Sequence, residues 1–168
     1  MSFTIQYMVD IKKTFHDGIY LNSGINCSVA SAHFEMMTTK NRYRKADKRM
    51  FYQFVQSFPS DTKLTPNEVH QIGLEFAQKQ FPQFEVLVST HCNTKNIHNH
   101  ILVNSVSFKN GKKLHQNHDN LLQHRQINDE ICLEFGEQPL PTYVKGQKNK
   151  SMKTREYRSA IKGQSWKM

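Results

Sequence analysis

A chain of 168 residues, 37% of them hydrophobic, is long enough to bury one core, and it contains no run of eighteen apolar residues such as a membrane helix needs. Cys27, Cys92 and Cys132 are odd in number, widely spaced and free of any CxxC, which argues against a disulfide framework and a zinc knuckle. The net charge of +9 is concentrated: eight Lys and Arg against one Glu lie between Tyr143 and Met168, a tail suited to a polyanion, nucleic acid before membrane.

The start, MSFTIQYMVDIKK, lacks a charged segment leading into an apolar core and a small-residue cleavage site. A soluble, cytoplasmic protein without membrane insertion is expected. Residues 4–13, TIQYMVDIKK, read as a short helix with Ile5, Met8, Val9 and Lys12 toward one face and Tyr7 between the apolar positions. From Phe15 to Asn26, Asp17-Gly18 and Ser23-Gly24 signal turns, hence a loop or brief hairpin. Ser28 as a cap predicts a helix from Val29 to about Arg44, and the cations Arg42, Arg44 and Lys45 at its end suit the helix dipole.

Residues 50–58 alternate as a strand that Pro59 ends, with Tyr52, Phe54, Gln56 and Phe58 on one face. Thr65, Pro66 and Glu68 form a capping box that opens a helix, Leu64 can staple onto Val69, and Val69, Ile72, Phe76 and Ala77 supply the buried stripe. After two strands within residues 84–106, Asn110-Gly111 predicts a hairpin that folds Lys112 to Leu114 back on Val106 to Phe108. Asp119 to Phe135 reads as a helix terminated by Gly136, Pro139 and Pro141 mark a linker, and residues 151–162 read as a weak basic helix. This order predicts an α+β fold, an antiparallel sheet with helices on one face. The expected division is a domain at 1–142 and a basic tail at 143–168.

The chemistry is concentrated in Phe84 to His115. Val86, Leu87 and Val88 lead into His91, six residues follow, and His98 and His100 open a second apolar run. Side chains alternate along a strand, so His98 and His100 project from one side, and a six-residue loop between antiparallel strands returns His91 beside them. Three convergent neutral imidazoles make a site for a divalent cation with coordination positions left open. Cys92 adjoins His91 but points away on a strand; His33, His70 and His118 read as ordinary surface or core histidines.

HCNTKNIHNHILVNSVSFKNGKK resembles the third motif of plasmid mobilisation relaxases, the MobA/MobL family within the HUH endonucleases. SGINC at Ser23 to Cys27, FVQSF at Phe54 to Phe58, the segment TPNEVHQIGLEFA and GQSWK are similar to further landmarks of that family. The resemblance implies a palm-like sheet, a divalent metal (Mg2+ or Mn2+ working, Zn2+ or Ni2+ also suited to imidazoles) on His91, His98 and His100, and Tyr7 as the nucleophile. It implies site- and strand-specific nicking of single-stranded DNA at a plasmid or integrative-element transfer origin, through a 5′-phosphotyrosyl adduct. Accessory mobilisation proteins and a type IV secretion coupling protein are the implied partners.

Cations expected to hold DNA near that site are Arg42, Arg44, Lys45, Lys112, Lys113, Lys148, Lys150, Lys153, Arg155 and Arg158. The sequence departs from the family pattern in two places. Similar proteins carry a strand before the tyrosine helix, whereas six residues precede Tyr7 here, so a sheet edge is expected to stand open with Tyr7 poorly fixed. Gln53 stands where many relatives have a histidine. A short or truncated relative is expected, and two other readings stay open: an inactive single-strand-binding relic, and a metal-dependent phosphodiesterase that forms no tyrosyl adduct.

Overall fold

A computed structural model of the chain describes residues 1–139. The cations expected at Lys148, Lys150, Lys153, Arg155 and Arg158, and the weak helix at 151–162, lie outside them. In chain order the elements are α1 (Ser2–Met8), α2 (Ile11–Thr14), β1 (Phe15–His16), β2 (Ile19–Tyr20), β3 (Asn22–Ile25), α3 (Ala32–Arg42), β4 (Phe51–Ser57), α4 (Pro66–Gln80), β5 (Val86–His91), β6 (His98–Asn104) and α5 (His118–Glu134). The α+β class and the antiparallel sheet are as expected. Its order is β3-β5-β6-β4, and β1 and β2 form a separate two-stranded ribbon.

Helices cover both faces of the sheet, not one. The reason is legible in β5 and β6, which are buried at every position except His98; a strand apolar at successive positions needs cover on both sides. On one face Val86, Val88, Ile101 and Val103 pack with Val69, Ile72 and Phe76 of α4 and Ile131 of α5. On the other, Leu87 and Leu102 pack with Ile5 and Met8 of α1 and Ala32 and Met36 of α3. Each such buried side chain contributes about 1.5–3 kcal/mol.

The capping box of α4 forms as expected, with Thr65 Oγ1 accepting from the Glu68 amide and Glu68 accepting from the Thr65 amide. Helix α3 starts later than the Ser28 cap predicts: Glu35 accepts from both the Ser28 amide and the Ser31 hydroxyl, which holds 28–31 as a turn ahead of it. Asp10 caps α2 by accepting from the Lys12 amide, which splits the predicted 4–13 helix in two. Ser23-Gly24 is not a turn but part of β3, paired with Leu87 and Val88. Glycine is required there because a Cβ would lie 2.0 Å from the Cys27 carbonyl oxygen. The hairpin at Asn110-Gly111 forms as a single bridge, Val106 with Lys113, with Gly111 at positive φ.

Candidate active site

Alternation and register together build the site. His91 pairs with His98 across β5 and β6, and Ser89 pairs with His100, so all three imidazoles fall on the face that carries Leu87 and Leu102. Their ring centroids are 4.5–5.2 Å apart. One nitrogen from each lies within 4.8 Å of the others. Among the described residues this is the cluster of three or more metal-ligating groups, and Cys92 is not in it.

The neighbours of the rings decide which nitrogens are bare. His91 Nε2 stands 2.9 Å from the Met8 carbonyl, to which it donates, leaving Nδ1 with a lone pair. His98 Nδ1 likewise donates to the Asn96 carbonyl at 2.9 Å and leaves Nε2 free. Gln53 Nε2 lies 3.1 Å from His100 Nδ1; a half-turn of the amide, which exchanges its N and O, puts the carbonyl oxygen there to accept an Nδ1 proton. His100 Nε2 is then a buried acceptor without a partner in the protein. A divalent ion fits this donor set: one buried nitrogen without a protein partner, and two rings whose other nitrogen is already engaged by a backbone carbonyl.

Burial pushes the His100 imidazole down to about 4, helped by His91, His98 and the Lys13 ammonium. His91 is also lowered, chiefly by burial, with the Met8 carbonyl opposing. Both rings are therefore neutral at physiological pH, as ligands must be. On the opposite face, Thr90 and Asn99 brace the same strand ends. His70, buried and pushed down to about 4 by that burial, bonds the Thr90 hydroxyl at 2.7 Å and Ser23 at 2.8 Å. Thr90 donates to Asn99, and Asn99 donates to the Val69 carbonyl of α4.

Tyr7 is brought to this cluster. Its ring stands edge-on to His91 and His100, with centroids 5.4 and 5.7 Å away, and remains half-exposed. The expectation that nothing would fix it is corrected by α1, whose Ile5 and Met8 are buried on Leu87 and Leu102 while the Met8 carbonyl binds His91. The residue after the tyrosine is thus tied directly to a histidine of the cluster.

Two residues here escaped the sequence reading. Lys13 Nζ sits 3.4 Å from the Tyr7 ring centroid, and one lysine of an IKK run gave no sign of that in the sequence. Gln53 registered only as a missing histidine, yet it orients His100; its signal was β-alternation, which aligns it beside Val55, the partner of His100.

The other predicted cations among the described residues are not near the histidines. Arg42, Arg44, Lys45, Lys112 and Lys113 gather beyond the Phe51–Asn104 end of the sheet, about six residues or roughly 20 Å of strand from His100. Lys45 donates to the Gly111 carbonyl and Lys113 pairs with Asp47 at 2.9 Å. Arg42, Arg44 and Lys112 are exposed. The antiparallel return of β6 carries Lys112 and Lys113 away from the site, which spacing in sequence does not reveal.

Residues 7–137 match the family model described as Relaxase: MobA/VirD2-like, nuclease domain. The chain is 39% identical over 111 residues to a "Protein rlx" of Staphylococcus aureus, covering 66% of this chain and 33% of that protein. It is 38% identical over 114 residues to another Protein rlx of the same species, covering 68% and 36%. It is also 33% identical over 90 residues to the "Group II intron-interrupted relaxase LtrB" of Lactococcus lactis subsp. cremoris, covering 48% and 16%. The chain spans about a third of the length of the Staphylococcus relatives. No solved structure matches it significantly.

Proposed function

This chain belongs to the family of MobA/VirD2-like relaxase nuclease domains, and on that premise we propose that it nicks single-stranded DNA at a transfer origin, with Tyr7 as nucleophile and His91, His98 and His100 as the metal ligands. The observation that carries this reading is the convergence of a half-exposed tyrosine and three imidazoles at one strand end. His91, His98 and His100 would hold a divalent cation, Mg2+ or Mn2+, which when bound would offset negative charge on the scissile phosphate.

The chain's own groups account for the rest. Tyr7 Oη gives up its proton and forms the new bond to phosphorus; the P–O3′ bond breaks, and the departing 3′ oxygen takes a proton. The phosphate becomes a diester of Tyr7, so the strand can later be rejoined. Lys13, already over the Tyr7 ring, places an ammonium where negative charge passes from phenol to phosphate. Met8, through its carbonyl, keeps the nucleophile's helix in register with His91. Arg42, Arg44 and Lys112 serve as outlying contacts to a longer strand, and the cations of 143–168 add salt-sensitive affinity. Accessory mobilisation proteins and a secretion coupling protein complete the proposed setting.

The test is a labelled single strand from the element's own origin incubated with Mn2+, read as a denaturant-resistant protein–DNA adduct. Tyr7→Phe removes one exposed hydroxyl and is expected to abolish the adduct while DNA affinity stays within about twofold. Cutting by the Phe variant at the wild-type rate would refute Tyr7 and favour a phosphodiesterase without a tyrosyl intermediate. Binding without cutting by wild type would favour the inactive relic.

A further inference from the structure

The ribbon β1–β2 rises from the strand end that carries a histidine of the site. The Cys92 amide donates to the Lys13 carbonyl at 2.8 Å, and the Thr90 amide donates to the Leu21 carbonyl at 2.9 Å. The two amides flanking His91 thus hold both roots of the hairpin. Its tip is Asp17-Gly18, at φ of 46° and 84°, a tight turn of the kind that joins two-residue strands.

So short a ribbon has little stability of its own and ordinarily turns its apolar side chains onto a core. Here the reverse holds: Phe15, Ile19 and Tyr20 are 52%, 47% and 55% exposed. None belongs to either core cluster. The Phe15 and Tyr20 rings lie across the ribbon with centroids 5.1 Å apart. At the root stand Lys12, exposed, and Lys13, whose ammonium lies on Tyr7.

An exposed aromatic pair beside cations, continuous with a phosphate-directed site, has the chemistry of a single-strand contact: every base offers a π-face, so stacking works whatever the sequence. A second copy of this chain is disfavoured as the occupant, because it would bring a net +9 of its own against the same lysines. We propose that the β1–β2 ribbon is a base-stacking platform, on which Phe15 and Tyr20 hold an unpaired base next to the phosphate presented to Tyr7. The proposal rests on the single-strand reading above and adds to it where the base is gripped.

Fluorescence anisotropy with labelled oligothymidylate, and with a strand of equal length lacking bases, tests it on the full chain with Mn2+ present. Phe15→Ala combined with Tyr20→Ala is expected to bind oligothymidylate about tenfold more weakly and the abasic strand as wild type does, with an unchanged salt slope. The swap Phe15→Tyr with Tyr20→Phe keeps both π-faces and is expected to retain affinity. Both residues are exposed, so an unchanged thermal melt accompanies either variant. Unaltered affinity of the alanine variant for oligothymidylate, or an equal loss on both strands, overturns the platform while leaving the single-strand reading intact. A fall in sedimenting mass on alanine substitution, with DNA binding unchanged, assigns the patch to a second copy instead. Failure of wild type to bind either strand removes the single-strand reading itself, and the platform with it.

Discussion

Replacing Gly73 by Ala probes how closely α4 is seated on the strand that carries two of the histidines. In an exposed helix this substitution stabilises by about 1 kcal/mol. Gly73 is buried, however, and a Cβ there would lie 2.6 Å from Asn99 Nδ2, 2.9 Å from Asn99 Cγ and 3.1 Å from Val88 Cγ1. Asn99 is held on three sides: it donates to Gln56 at 2.6 Å and to the Val69 carbonyl at 2.7 Å, and accepts from Thr90 at 2.6 Å. Displacing its amide weakens three hydrogen bonds, two of them fully buried, each worth about 1 kcal/mol net, and overpacking costs about 1–3 kcal/mol more. These losses outweigh the propensity gain, so Gly73→Ala is expected to destabilise by about 2–4 kcal/mol, seen as a lowered urea midpoint with an unchanged m-value. Since Asn99 lies between His98 and His100, Mn2+ affinity measured by calorimetry is expected to fall as well. A midpoint equal to or above that of wild type would refute the reasoning, because it would mean that α4 can retreat from β6 at no cost.

Gln53→Leu removes the side-chain partner of His100 Nδ1 and is expected to weaken Mn2+ binding about 10–100-fold, whereas Gln53→His should recover most of it; equal affinities for wild type and the Leu variant would make the 3.1 Å contact incidental. His70 imposes a pH dependence on stability, since burial pushes it down to about 4 from an unfolded value near 6.5. A histidine lowered in the folded state contributes its full stability above the unfolded value and loses it as pH falls toward the folded one. The loss is on the order of 3 kcal/mol between about pH 6.5 and 4. His91 and His100 titrate in the same direction, so the comparison is with His70→Gln, whose urea midpoint should change less across that window; parallel curves would remove His70 from the account.

Local chemistry determined much of this protein. The capping box at Thr65, the helix closed off just before Gly136 and the two strands about a six-residue loop follow from neighbouring residues alone. Strand alternation with a short antiparallel return also places His91, His98 and His100 together, because it needs no knowledge of anything beyond the hairpin. The family resemblance supplied Tyr7, which spacing could not distinguish from a packing residue.

The tertiary structure decided what depends on contacts between distant segments. Whether one or both faces of β5 and β6 are covered depends on where α1 and α3 dock, and those helices bring Leu87 and Leu102 into a second core. The same docking holds Tyr7 beside the site. Lys13 reaches the Tyr7 ring only because Asp10 breaks the helix between them, and its carbonyl is tied to Cys92, 79 residues away. Gln53 meets His100 through the register of β4 on β6, and that register also sends Arg42, Arg44, Lys45, Lys112 and Lys113 to the far end of the sheet. Sequence patterns report the period of an element and its caps; the partner of each face and the end at which a loop emerges are set by burial of apolar surface across the whole chain, which no local spacing encodes.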